Sequence, residues 1–134
     1  YIYLIRSPQE NLVNSEAFEW DPVEPFRLPW GCLSIGEVVE FGVSERFFED
    51  RKFTIKFRRG GERFWPSNRE NSNELKKLFQ EWRVPPWERS LTPLIYYGDE
   101  LVAVADLGIS RKFAKKFGSG QRYLGFLWNN SIYN

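Results

Sequence analysis

The sequence predicts an α+β domain, mostly antiparallel, in which a barrel-like set of strands carries one amphipathic helix and short helical turns. Three observations predict it. Residues 52–58 alternate between apolar and polar side chains, and residues 72–83 repeat their apolar positions at helical spacing. Elsewhere, short apolar runs are divided by Gly and Pro with no strand-helix-strand rhythm.

Residues 1–5 are a candidate strand of aliphatic and aromatic side chains. Pro22, Pro25 and Pro29 exclude a helix from the stretch that follows. Phe26–Leu28 and residues 33–35 flank Pro29-Trp30-Gly31 as a hairpin, and residues 37–41 read as a further strand punctuated by Gly36 and Gly42. Between 52 and 58, Phe53, Ile55 and Phe57 share one face while Lys52, Thr54, Lys56 and Arg58 share the other, a strand with a cationic outer face. Gly60-Gly61 end it, because residues without a Cβ tolerate positive φ in a tight reversal.

The clearest helix spans about residues 72–83, where Leu75, Leu78, Phe79 and Trp82 fall at i, i+3, i+4 and i+7 and mark a core-facing stripe. Asn71 or Ser72 is the expected N-cap; with Asn71 in that role, Glu74 reaches back as in a capping box. Pro85-Pro86 stops the helix, since the second proline forces the first out of the α region. Residues 94–97 and 101–105 form a hairpin about Gly98-Asp99-Glu100, with Tyr96 and Tyr97 facing opposite ways, and residues 123–128 form the last strand.

With 134 residues, 42% hydrophobic and 18% aromatic, the chain suits one domain with an aromatic core or interface. It holds no Met, not even at position 1, so a fragment or a processed product is expected. It also holds no His, which removes the usual general acid/base near neutral pH and the commonest nitrogen ligand for metals. Cys32 is the single cysteine: no internal disulfide or thiolate zinc cluster can form, and it reads as a small buried apolar residue beside a turn in a protein of the reducing cytoplasm. The carboxylate pairs Glu49-Asp50 and Asp99-Glu100 read as turn chemistry, so no catalytic or metal-ligating residue is expected. No apolar run approaches the roughly 18 residues of a membrane span, which predicts a soluble chain with no membrane partner.

Charge is unevenly spread. The net +1 resolves into −6 over residues 1–45 (2 basic, 8 acidic), +5 over 46–89 (12 basic, 7 acidic) and +2 over 90–134 (5 basic, 3 acidic). Such asymmetry is the pattern of a chain with one face for a polyanion. Candidate phosphate contacts are Lys56, Arg58, Arg59, Arg63, Arg69, Lys76, Lys77, Arg83 and Arg89; the competing reading of the lysines is a solvated helix face. Trp87 either stacks on an exposed base or fills the core below the helix end, the core being favoured, while Arg89 either takes a phosphate or pairs with Glu62 or Glu88. Arg111-Lys112-Phe113-Ala114-Lys115-Lys116-Phe117 reads as a hairpin loop with solvated lysines, with an RNA contact as the alternative.

One stretch is more specific. Arg59-Gly60-Gly61-Glu62, then Leu75-Lys76-Lys77-Leu78-Phe79-Gln80-Glu81, then Val84-Pro85-Pro86-Trp87-Glu88-Arg89, then Thr92-Pro93-Leu94-Ile95-Tyr96-Tyr97-Gly98-Asp99-Glu100-Leu101-Val102-Ala103-Val104 follow in order. This run closely resembles the carboxy-terminal domain of bacterial tRNA(Ile)-lysidine synthetases. Trp20-Asp21-Pro22 and Phe26-Arg27-Leu28-Pro29-Trp30-Gly31 are similar to the weaker lead-in before that domain. Asp106 departs from the family's usual Gly and Gly108 from a common aromatic residue, and the likeness stops near Ala105.

The resemblance implies that residues 1–134 are the C-terminal domain of a larger enzyme, with 1–50 a β-rich lead-in and 51–134 the family-type region. Enzymes of this family activate the wobble cytidine of tRNA(Ile) with ATP and Mg and join the ε-amine of lysine to it. They do so in an amino-terminal domain with a Ser-Gly-Gly-x-Asp-Ser loop, which is missing here; Gly60-Gly61-Glu62 lacks the hydroxyl, the Lys and the helix onset of a phosphate loop. The implied role is therefore non-catalytic and cofactor-free: to hold tRNA(Ile) against the catalytic domain. A protein-interaction or homodimerisation module is the alternative, favoured by the acidic first third and the surplus of aromatics.

Overall fold

A computed structural model describes residues 17–37, 41–48, 51–116 and 123–130. The candidate strand at 1–5 and the turn pair Glu49-Asp50 lie outside these.

The described strands form two five-stranded antiparallel sheets and a two-stranded ribbon. The first sheet has the order β1 (Phe18–Trp20), β5 (Phe53–Lys56), β8 (Leu94–Tyr97), β9 (Glu100–Val104), β10 (Gly108–Ile109). The second runs β11 (Lys115–Lys116), β4 (Phe41–Ser44), β12 (Tyr123–Asn130), β3 (Gly31–Glu37), β2 (Phe26–Leu28). The ribbon pairs β6 (Arg63–Phe64) with β7 (Asn73–Glu74). A 3₁₀ turn (Glu45–Phe48) and two helices, α1 (Leu75–Glu81) and α2 (Pro86–Arg89), complete the described elements. The α+β, antiparallel class is as expected, but the barrel-like closure is not formed among the described residues: each sheet keeps two edges.

Side-chain alternation explains the layering. Phe53 and Ile55 point from the first sheet toward the second, where they meet Trp30, Leu33 and Phe126 in one aromatic core with Trp20, Phe57, Ile95, Val102 and Ala103. A register shift between Ile95 and Tyr96 lets successive residues Val102 and Ala103 both join that core. On the opposite face, Leu94 and Val104 pack under Leu75, Leu78 and Phe79 of α1, with Phe64 and Val84. The first sheet is thus a middle layer, covered by a sheet on one side and by α1 on the other. Trp30 ties the β2–β3 hairpin to this layer through its indole N–H, which donates to the Leu91 carbonyl at 2.7 Å.

The helix is shorter than its periodicity predicts. Asn73 and Glu74 pair with Phe64 and Arg63 as strand, so the first helical N–H, that of Leu75, donates to the Glu62 carbonyl at 2.9 Å. The capping box with Asn71 or Ser72 does not form, and no side chain caps the helix; Asn73 Oδ1 instead accepts the Glu74 N–H at 3.0 Å. Nor do the prolines end it. Arg83 adopts a left-handed φ of 58°, its N–H donating to the Gln80 carbonyl (3.1 Å) while that of Val84 donates to Phe79 (3.0 Å). This is the Schellman closure, with Val84 packed in the same cluster as Phe79. Extended Pro85 and Pro86 then start α2. Gly36 and Gly42 lie inside β3 and β4, so the strand read at 37–41 is replaced by the end of one strand and the start of another, with 38–40 outside the described residues.

Candidate nucleic-acid interface

Because Leu75, Leu78 and Phe79 face the sheet, α1 turns Lys76 and Lys77 to solvent. The polar face of β5 lies on the same side of the first sheet, beside the helix; Lys56 is exposed and Arg58, just past the strand, is half-buried, and each sits on an aromatic ring. The Lys56 ammonium lies 4.7 Å from the Tyr96 ring centre and the Arg58 guanidinium 5.9 Å from that of Phe79. Arg59 follows in the reversal at Gly60 (φ 115°) and Gly61 (φ 83°), where the Glu62 carboxylate accepts the N–H groups of Arg59 (2.7 Å) and Gly60 (2.9 Å). Since the Glu62 carbonyl also receives the Leu75 N–H, the turn carrying Arg58 and Arg59 is clamped to the start of α1. Burial, with the Glu62 charge second, pushes the Tyr96 phenol up from its ordinary value, so it stays neutral under Lys56.

Lys56, Arg58, Arg59, Lys76 and Lys77 are thereby gathered about α1, and Arg83 stands exposed at its end. Among the described residues none of these six is in an ion pair. The other three candidates are held elsewhere. The Arg69 guanidinium pairs with Glu81 of α1 at 2.5 Å. Arg63 reaches the Ser72 hydroxyl (3.3 Å) and carbonyl (3.4 Å). Arg89 is half-buried, its Nε–H donating to the Val84 carbonyl at 2.9 Å, so the expected partners Glu62 and Glu88 are replaced by the chain end of α1.

The aromatic residues are redistributed as well. Trp87 does not fill the core below the helix: it is 56% exposed on α2, and the cluster there is built from Phe64, Leu75, Leu78, Phe79, Val84, Leu94 and Val104. Trp65 is 42% exposed, and a single Trp after a short strand has no sequence pattern to separate it from core. In the basic-aromatic run, Arg111 lies over Trp65, Lys112 pairs with Glu100 at 2.5 Å, and Lys115–Lys116 form a strand with Phe41 and Gly42. Residues 117–122 lie outside the described ones. Among the described residues no three His, Cys, Asp or Glu side chains gather to hold a metal, and no helix is long and apolar enough to cross a membrane.

Residues 53–124, which hold the whole of this cluster, match the family described as the TilS substrate C-terminal domain. The chain belongs to this family. As a TilS C-terminal domain it is 48% identical over 65 residues to a tRNA(Ile)-lysidine synthase of Coxiella burnetii, covering 48% of this chain and 14% of that protein. It is 33% identical over 130 residues to the tRNA(Ile)-lysidine synthase of Edwardsiella ictaluri, covering 96% of this chain and 27% of that one. The chain therefore spans about a quarter or less of the length of these curated relatives. The fold agrees with a crystal structure of a TilS C-terminal domain at a TM-score of 0.60 and 19% identity, over 86% of this chain and 98% of that one.

Proposed function

We propose that this TilS C-terminal domain grips tRNA(Ile) by its phosphate backbone, presenting it to the catalytic domain of a tRNA(Ile)-lysidine synthase. There ATP, with Mg, would drive the joining of lysine to the wobble cytidine; this chain supplies no catalytic group and works in the cytoplasm. The observation that carries the reading is the cluster about α1. Lys76 and Lys77 project from a helix fixed against the sheet, and Lys56, Arg58 and Arg59 flank it with side chains in no ion pair among the described residues. Cations carried on rigid elements can track a phosphate backbone, and each contact releases counterions. Holding a substrate in register with a distant site contributes to rate through orientation alone.

The test is filter binding of tRNA(Ile) at low salt to the wild-type chain and to Arg58→Glu/Lys76→Glu/Lys77→Glu. The variant is expected to bind about tenfold or more weakly. Equal affinity would refute the assignment of this surface.

A further inference from the structure

We infer that Trp65 and Arg111 form a stacking subsite for one unpaired nucleotide, the ring taking the base and the guanidinium its phosphate. The inference rests on the RNA-binding reading above and adds to it a single-stranded element.

The geometry is that of a built platform. Trp65 follows β6, and since Phe64 points into the core under α1, Trp65 points out. Its backbone is fixed by antiparallel pairing, with the Trp65 carbonyl accepting the Arg111 N–H at 2.8 Å, a bridge between Pro66 and Ser110, and the Ser67 N–H donating to Ile109 at 2.8 Å. The indole N–H donates to the Arg69 carbonyl at 2.9 Å, and Arg111 Nη1 donates to that same carbonyl, also at 2.9 Å. One oxygen thus holds ring and cation together, with the guanidinium over the ring and its carbon 5.4 Å from the ring centre. Arg69 in turn is anchored to α1 through Glu81. An indole pinned by its N–H has little rotational freedom left to lose, so a base landing on it meets a preformed surface.

The surroundings favour nucleic acid over protein. Trp65 is an exposed large apolar side chain that leads directly into a polar stretch, Ser67-Asn68-Arg69-Glu70-Asn71-Ser72. The adjoining Arg111 has no carboxylate partner among the described residues, while Arg69 neutralises Glu81. An exposed indole with a cation over it that is in no ion pair among the described residues is the chemistry that takes bases without regard to their identity.

The experiment measures fluorescence anisotropy of the 134-residue chain with two labelled RNAs, a blunt duplex and the same duplex with a short single-stranded 3′ extension. Wild type is expected to prefer the extended RNA. Trp65→Ala should lose that preference, roughly tenfold in affinity, with the blunt duplex unaffected; Trp65→Phe should keep part of it, and Arg111→Ala should weaken it. Melting curves of the same variants exclude unfolding as the cause, and Trp65→Phe serves as the readout if Trp65→Ala melts early. An equal loss on both RNAs, or no loss on either, overturns the subsite while leaving the charged surface standing. Absence of any RNA binding by wild type overturns the proposed function itself. Self-association in sedimentation that Trp65→Ala abolishes, with RNA affinity unchanged, would assign the platform to a protein partner instead.

Discussion

Phe53 of one sheet meets Phe126 of the other edge-on, the ring centres 5.7 Å apart and the planes at 90°. Both are buried, and each also touches Trp20 and Phe48, so this pair is where the two sheets are joined. Phe126→Ala should therefore cost about 3–5 kcal/mol, the range for emptying a buried aromatic site. Urea unfolding followed by Trp fluorescence measures it; a loss below about 1 kcal/mol would mean that the sheets pack independently of this contact.

Two glycines in β3 differ in what limits them. A Cβ at Gly31 would enter the Trp128 ring and lie 2.9 Å from the Asn129 carbonyl oxygen, neither of which moves easily. At Gly36 the obstacle is Leu127 Cδ1, at 2.5 Å, the end of a flexible and exposed side chain. Gly31→Ala is expected to cost about 1–3 kcal/mol by overpacking, and Gly36→Ala clearly less. Comparing their urea midpoints tests the order.

Arg83 occupies the left-handed position that closes α1, where glycine carries no Cβ penalty. Arg83→Gly should raise stability by about 1 kcal/mol, visible as a higher Tm, while removing one cation from the proposed interface. Greater stability together with weaker tRNA binding separates the two roles of one residue; a lower Tm would contradict the closure described.

Partial desolvation raises the carboxyl of Asp106, an otherwise exposed residue, above its ordinary value, a shift its own backbone N–H only partly opposes. A folded-state value above the unfolded one favours the protonated form. That contribution is complete below the unfolded carboxylate range and is lost as pH rises through the raised value. Asp106→Asn should therefore stabilise the chain at neutral pH, with the advantage shrinking as pH falls to the carboxylate range. Melting temperatures of both proteins across that span check the sign.

Strands were legible where period-two alternation coincides with a turn, as at Phe53, Ile55 and Phe57 before Gly60-Gly61, or at Tyr97 and Glu100 around Gly98 (φ 63°). Tyr96 and Tyr97 do face opposite sides. The helix was legible from its apolar stripe, its ends were not. Its start depends on Asn73 and Glu74 finding Phe64 and Arg63, a pairing made by the fold, and its end on an Arg in a conformation that usually signals glycine. For the same reason the candidate cations could be named but not sorted. Nothing local distinguishes Lys76, which is exposed, from Arg89, which is held by the Val84 carbonyl, or Arg69, which is held by Glu81. Trp65 and Arg111 are joined through a third residue, Arg69, and no short motif records such a meeting.

The salt dependence of tRNA binding tests the central claim most directly. If the cations about α1 lie on phosphates, log K should fall linearly with log salt, and Lys76→Gln/Lys77→Gln should flatten that slope by about 1.5 units, near 0.7–0.9 for each contact removed. A variant whose slope matches that of wild type would show that the helix face meets water rather than RNA.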